Sequence, residues 1–301
     1  MDLSRFGAAP PWSLGVEEEL MLVDAETLVP ARDGWSRVFG ESTDRIKPEL
    51  FESLVEIVTP VCQTAEEIEA ELRALRHEVA ARAAEHGLAV IAVGSHPTAT
   101  EPPPIVPIER YRRMKEELGT RLRRQMVCGL HVHVSVPDAG TCLRAFEGVV
   151  AELPRLLASS ANSPFWRGAP SGRRSIRSEI LLEMPTGGTP PVLRGWDDWD
   201  AATRGDSMRR HWDAWPRPEY GTLEVRVMDQ PTAVRRTAEL VAEVQRLVRD
   251  AAGWTGEPFD REAYARERER AGREGGGPEA ERQLELGPEA ALREIAELAI
   301  R

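Results

Sequence analysis

Four stretches of the chain alternate apolar and polar side chains with a period of two, the signature of strands with one buried face. In Leu14–Val23, Val16, Glu18, Leu20 and Leu22 fall on one side and Glu17, Glu19 and Met21 on the other. A second stretch, Leu50–Thr59, puts Glu52, Leu54, Glu56 and Val58 opposite Phe51, Val55 and Ile57, and Pro60 ends it. In Leu130–Val136, Leu130, Val132, Val134 and Val136 oppose His131, His133 and Ser135. The fourth, Thr222–Met228, sets Leu223, Val225 and Val227 against Glu224, Arg226 and Met228.

Between these strands the period changes to that of a helix. Thr64 is an N-cap with Glu67 at the capping-box position, and Ile68, Leu72, Leu75 and Val79 continue a helical stripe as far as Gly87. A short buried strand follows at Leu88–Val93 and ends in the turn Gly94-Ser95-His96-Pro97, before a proline-rich loop at 101–107. Helices are predicted over 108–124, 141–160 and Thr232–Ala252, with Gly/Pro-rich punctuation at 185–195. Residues 260–286 carry few large apolar groups, which predicts a charged helix and a flexible glycine linker before a last helix at 288–300. No internal repeat is visible.

Strands alternating with helices at irregular intervals predict an α+β fold with helices packed on one face of a sheet. The chain has 301 residues, 41% of them hydrophobic and 30% charged, enough for a substantial core and a polar surface. A net charge of −11 argues against a protein that tracks nucleic-acid phosphates. No apolar stretch reaches the roughly 20 residues of a membrane span, and the N-terminus has no apolar leader core, so a cytoplasmic protein is expected. Cys62, Cys128 and Cys142 lack ligand spacing and read as reduced thiols.

The charge gathers on the polar faces of the four strands. Glu17, Glu19, Glu52, Glu56, His131, His133, Glu224 and Arg226 replace the Thr, Lys and Ser of an ordinary solvated sheet. If these strands share a sheet, like charges crowd one face and require cations to neutralise them. Hard carboxylate oxygens select Mg²⁺ or Mn²⁺, which usually accompany substrate phosphates. Arg226 could face a phosphoryl group or a substrate carboxylate, or form an ion pair with Glu224. The His131/His133 pair could ligate metal or be merely hydrogen-bonded. Glu52 and Glu56 could equally be exposed edge-strand charges that oppose aggregation.

Five segments in order, GVEEELMLVD at 15–24, ELFESLVEIVTPVCQT at 49–64, CGLHVHVSVPD at 128–138, ANSPFWRG at 161–168 and GTLEVRVMDQPT at 221–232, resemble the glutamate–cysteine ligase type 2 family of carboxylate–amine ligases. The resemblance implies a glutamine-synthetase-like catalytic domain, a mainly antiparallel curved sheet with helices on one face and an acidic concave active-site face. It further implies an ATP- and Mg²⁺- or Mn²⁺-dependent ligase that joins a carboxylate, such as the glutamate γ-carboxylate, to an amine such as cysteine through an acyl phosphate. By the same resemblance Glu17, Glu19, Glu49, Glu56, His131 and Glu224 are metal ligands. Arg226 and Glu52 are the catalytic candidates, and His133, Asn162 and Trp166 the nucleotide-binding ones. Expected partners are small-molecule amino acids and amines, with no nucleic acid and no membrane, and a homo-oligomer is compatible with the family. Residues 1–255 are expected to form the catalytic domain and 256–301 a charged helical extension. The stretch beyond Ala252 lacks the Asn-, Trp- and Arg-containing segment expected of the family, which leaves open a non-catalytic or regulatory nucleotide- and metal-binding homologue.

Overall fold

The computed structural model describes residues 1–204 and 211–300. Its framework is a seven-stranded antiparallel sheet. The first strand, β1 (Leu14–Asp24), is followed by a short helix α1 (Gly34–Val38), the edge strand β2 (Ile46–Pro48) and β3 (Leu54–Val58). Helix α2 (Ala65–Ala84) leads to β4 (Leu88–Ile91), and α3 (Glu109–Leu118) continues as a 3₁₀ turn to Arg124 before β5 (Gly129–Ser135). Helices α4 (Ala139–Val150) and α5 (Leu153–Ser160) precede a two-stranded ribbon, β6 (Phe165–Trp166) with β7 (Ala169–Pro170). Then come α6 (Ile176–Ile180), α7 (Trp196–Thr203), β8 (Ala214–Arg217), β9 (Thr222–Asp229), α8 (Val234–Asp250), α9 (Arg261–Glu274), α10 (Pro278–Leu286) and α11 (Pro288–Leu298).

The main sheet runs β2-β3-β1-β5-β9-β8, with β4 pairing to the far end of β1. Helices α2, α4 and α8 cover its apolar face. Ile68, Leu72, Leu75 and Val79 of α2 are buried there, as are Val16, Leu20 and Leu22 of β1 and Val132 and Val134 of β5. The α2 start is as the sequence predicts, with Thr64 Oγ1 accepting from the Glu67 N–H. A single helix over 141–160 does not form. Pro154 sits in the first turn of α5, where its missing N–H is harmless, and the chain turns at Ala151 and Glu152 instead.

Two further differences bear on the site. The second strand starts at Leu54 rather than Leu50, so Glu52 lies in the preceding turn, outside the expected alternation. In β9 a bulge lies opposite His131: Val132 pairs with Val225, but Leu130 pairs with Met228. Beyond Arg226 the side-chain alternation is therefore offset by one residue. Met228 pairs onto the core side with Leu130, while Asp229 comes opposite Gly129.

The glycine-rich stretch expected as a flexible linker is tightly packed. A Cβ on Gly275 would lie 2.8 Å from Ala158 Cα, and one on Gly277 would lie 2.4 Å from the Ala161 carbonyl oxygen. The segment beyond residue 255 is joined to the rest by buried contacts. The Asp213 carboxylate accepts from Arg268 Nε at 2.5 Å and from the Tyr264 hydroxyl at 2.6 Å, while Glu279 accepts from the Thr232 and Ala233 N–H groups ahead of α8. Among the described residues no helix is long and apolar enough to cross a membrane.

Candidate active site

The pairing register brings the charged faces together. Glu17 lies opposite His131, Glu19 opposite Glu56, and His133 opposite Glu224. Directly opposed residues of an antiparallel pair project to the same side, so the sheet gathers on one face what the sequence scatters over two hundred residues. Lys47 joins them from the edge strand, opposite Glu56, with Nζ 3.9 Å from its carboxylate.

Two groups of donors are close enough to share a cation. Glu17, Glu56 and His131 offer atoms within 4.8 Å of one another, and so do Glu17, His133 and Glu224. Glu17 is common to both. Its Oε2 is 3.3 Å from His131 Nδ1 and its Oε1 is 3.7 Å from His133 Nε2. Glu19 turns toward the same histidine, with Oε1 3.8 Å from His131 Nε2, while its Oε2 accepts from the Gly129 N–H at 2.6 Å. Glu49, half-buried, accepts from the Tyr111 hydroxyl at 2.8 Å.

The electrostatics of these acids differ. Burial alone would raise the Glu17 pKa, but the hydrogen bond to His131 and the charges of His133 and His131 hold it at about 2. Glu56 is pushed well above the usual range, first by burial and then by repulsion from Glu17, Glu49 and Glu19, with Lys47 offsetting only part. Glu49 is raised by burial and by Glu19. Burial lowers the His133 pKa, against the opposing pull of Glu224 and Glu17, and so favours the uncharged imidazole, the form that ligates metals. Its Nδ1 is occupied by Thr222 Oγ1 at 3.0 Å, and its Nε2 is buried without a hydrogen-bond partner among the described residues. A neutral imidazole nitrogen aimed at a crowded set of carboxylates fits a divalent cation.

Glu224 is set differently. It is fully buried between two arginines, with Arg217 Nη1 2.5 Å from Oε2 and Arg226 Nη1 3.0 Å from Oε1. Despite its burial, these cations hold its pKa far below the carboxylate range. Arg217 also lies 4.7 Å from the Trp215 ring centroid and 4.8 Å from that of Tyr220. Among the described residues, the Glu17–Glu56–His131 group has Lys47, 3.9 Å from Glu56, as its one competing Lys or Arg cation. It is therefore the better cation seat of the two.

A cavity of about 600 Å³ adjoins this face. Glu17, His133 and Thr222 form part of its floor, Lys47 and Val58 one side, and Tyr220 another. Arg5, Ala8 and Ala9 of the N-terminal segment close it. That segment is tied to the end of β5 by Ser135 Oγ, which donates to the Pro10 carbonyl at 2.6 Å, and just beyond it by the Gly7 N–H, which donates to the Val136 carbonyl at 3.1 Å.

Three sequence candidates stand apart from the cluster. The Glu52 carboxylate accepts from the N–H and hydroxyl of Ser36, at 3.0 and 2.8 Å, and so secures the first turn of α1. Asn162 is fully buried; its Nδ2 donates to the Gln230 carbonyl and Thr232 Oγ1, and its Oδ1 accepts from Gln283, so its polar atoms are spent on the protein. Trp166 packs beneath the Arg124 guanidinium, 5.6 Å from the ring centroid.

Sequence reasoning missed Lys47, Arg217 and Arg5. Lys47 sits in a three-residue strand too short to show a period, and Arg217 in the run Ala214-Trp215-Pro216-Arg217, which has no amphipathic alternation. For Arg217 the usable signal was its position seven residues before Glu224, across a tight hairpin.

An antiparallel sheet with helices on one face and an acidic, histidine-bearing cluster on the other is the arrangement of the glutamine-synthetase-like fold class. The chain belongs to glutamate–cysteine ligase family 2, whose model matches residues 13–286. A Rubrobacter xylanophilus protein with the provisional name glutamate–cysteine ligase 2-3 is 36% identical over 275 residues, covering 85% of this chain and 74% of its own. A Bdellovibrio bacteriovorus relative, provisionally named glutamate–cysteine ligase 2, is 35% identical over 255 residues, covering 81% and 68%. Among solved structures, a bifunctional glutathione synthetase from Pasteurella multocida superposes with a TM-score of 0.63 at 17% identity, over 95% of this chain and 49% of that one. The glutamate–cysteine ligase of Francisella tularensis, solved in complex with AMP, gives 0.60 at 12% identity, over 92% and 73%. These two likenesses concern the fold.

Proposed function

We propose that this protein is an ATP-dependent ligase that activates a substrate carboxylate as an acyl phosphate and joins it to an amine. The glutamate γ-carboxylate and cysteine are the first pair to test. The observation that carries the reading is Glu17 shared between two donor groups, one completed by Glu56 and His131, the other by His133 and Glu224. Such a pair of groups would hold two divalent cations, Mg²⁺ or Mn²⁺, which when bound offset the charge of a polyphosphate. The neighbouring cavity, with Arg5 and Lys47 on its walls, has the size of a small-molecule site and suits the nucleotide.

In this reading Glu17 and Glu56 bind through carboxylate oxygens, and His131 and His133 through imidazole nitrogens. Arg226, with its side chain 22% exposed and its guanidinium oriented by Glu224, faces the transferring phosphoryl group. Activation is needed because a carboxylate has no leaving group for an amine to expel; transfer of the ATP γ-phosphoryl supplies one. The AMP complex of the Francisella tularensis ligase and the family assignment support the choice of nucleotide.

The test is ADP release from ATP with Mg²⁺ or Mn²⁺ and pooled amino acids and amines, followed by mass spectrometry of the product. Amide formation that depends on one carboxylate and one amine is the expected result. Nucleotide binding without turnover across all pools would instead identify a binding protein.

A further inference from the structure

Arg177 is almost fully buried in α6, and none of the chemistry above uses it. Its Nη1 donates to the carbonyl of Val227 and its Nη2 to that of Arg226, each at 3.3 Å. Those two residues form the β9 bulge opposite His131, where the ladder to β5 is interrupted. A bulge leaves backbone groups without ladder partners, and here a side chain from another element takes them up. The guanidinium lies 3.8 Å from Asp229, the residue that the offset brings opposite Gly129. Asp229 is in turn held by the Asn162 N–H and by the hydroxyls of Ser163 and Ser175.

The same guanidinium presses on the other side of the site. A Cβ on Gly129 would lie 2.1 Å from Arg177 Nη2, so no larger residue fits there while Arg177 stays in place. The N–H of Gly129 orients the Glu19 carboxylate. Arg177 thus abuts both the backbone that presents Arg226 and the backbone that aims Glu19. Its placement is costly: Nε is buried without a hydrogen-bond partner among the described residues, and the ion pair to Asp229 is long. A buried cation so imperfectly satisfied is weak as a device for stability, which leaves geometry as its use.

We propose that Arg177 is a positioning residue, which clamps the β9 bulge so that Arg226 reaches the acidic face and seats Gly129 so that its N–H fixes Glu19. The inference rests on the functional reading above for the roles of Arg226 and Glu19, but its structural half stands without it.

The test combines kinetics with structure in Arg177→Lys, Arg177→Met and Gly129→Ala. Lysine keeps the charge beside Asp229 but cannot bridge two carbonyls. Arg177→Lys should therefore fold, with kcat reduced on the order of 10²-fold, the usual cost of about 1 Å of misplacement, and the KM for ATP changed less than about threefold. Gly129→Ala should show the same split, because its methyl displaces the guanidinium. A crystal structure of either variant should show Arg226 drawn away from Glu224. Retention of the bulge and of the Arg226–Glu224 contact in such a structure overturns the proposal, whether or not the native protein turns over ATP. So does native kcat in Arg177→Lys. An inactive native protein, by contrast, speaks against the ligase reading and leaves Arg177 to be judged by the variant structures.

Discussion

Arg76 and Glu18 form a fully buried, two-pronged ion pair on the helix-covered side of β1, with Nε to Oε2 and Nη2 to Oε1 both at 2.7 Å. Glu18 stands between Glu17 and Glu19, so the strand carries carboxylates on both faces. The back one is neutralised by protein, and the front ones line the candidate cation site. Arg76 also donates to the carbonyls of Pro231, Thr232 and Ala299, tying the C-terminal helix to the first strand. Removing one partner of such a pair strands a charge in the core. Arg76→Met is expected to lower unfolding free energy by about 3–5 kcal/mol, and Arg76→Met/Glu18→Met by less than the sum of the single changes. Urea unfolding of the three variants checks this; additive losses would refute coupling.

Cation binding should depend on Glu17 and Glu56 and not on Glu52. Glu17→Gln or Glu56→Gln is expected to weaken Mn²⁺ binding more than tenfold by calorimetry. Glu52→Ala should leave the affinity unchanged and cost about 1 kcal/mol of stability through its lost contacts at the start of α1. Equal loss of Mn²⁺ affinity in all three would mean that the Glu52 assignment to α1 is incomplete.

Glu279 gives a pH dependence of stability. Burial raises its pKa from 4.5 to about 7, against the opposing pull of the Ala233 and Thr232 N–H groups. The folded protein then holds this proton more tightly than the unfolded chain, so folding takes up a proton between those values. The contribution of this group is most favourable below about pH 4.5 and declines as pH rises through 7. Glu279→Gln keeps an acceptor for both N–H groups and removes the titration. The fall in thermal midpoint from pH 5.5 to pH 8 should be smaller in Glu279→Gln than in the native protein. An identical fall in both would exclude Glu279 as its source.

A chain ending at residue 255 would lose the partners of Asp213, the Gln283 contact to Asn162 and the Glu279 cap of α8. It is expected to be strongly destabilised or insoluble. If it unfolds at the native midpoint instead, residues 256–301 form the separable unit that their composition suggested.

Much of the sheet was legible because its long strands carry charged side chains on one face and apolar ones on the other. Val16, Leu20 and Leu22 announce β1 as clearly as Glu17 and Glu19 announce its acidic side. The reading failed where a local pattern is overruled by a distant partner. Glu18 falls among the apolar side chains of β1 with no visible partner until Arg76, far along the chain, is placed beneath it. Met228 looks like a neighbour of Arg226 on the same face until the bulge offsets it. Gly275 and Gly277 look flexible in sequence because the backbone of Ala158 and Ala161 that presses on them is over a hundred residues away.

The segment that closes the cavity belongs to no strand of the sheet. Residues 5–9 contribute Arg5, Ala8 and Ala9 to its lining, and their backbone is fixed at Gly7, where a positive φ and a Cβ position only 2.5 Å from the Pro137 carbonyl oxygen admit no side chain. Exchanging Arg5, Ala8 or Ala9 would therefore reshape the lining for a visiting molecule while every carboxylate kept its register. In such a molecule, choice of guest and power to react can drift apart under mutation, since they are written in different stretches of chain.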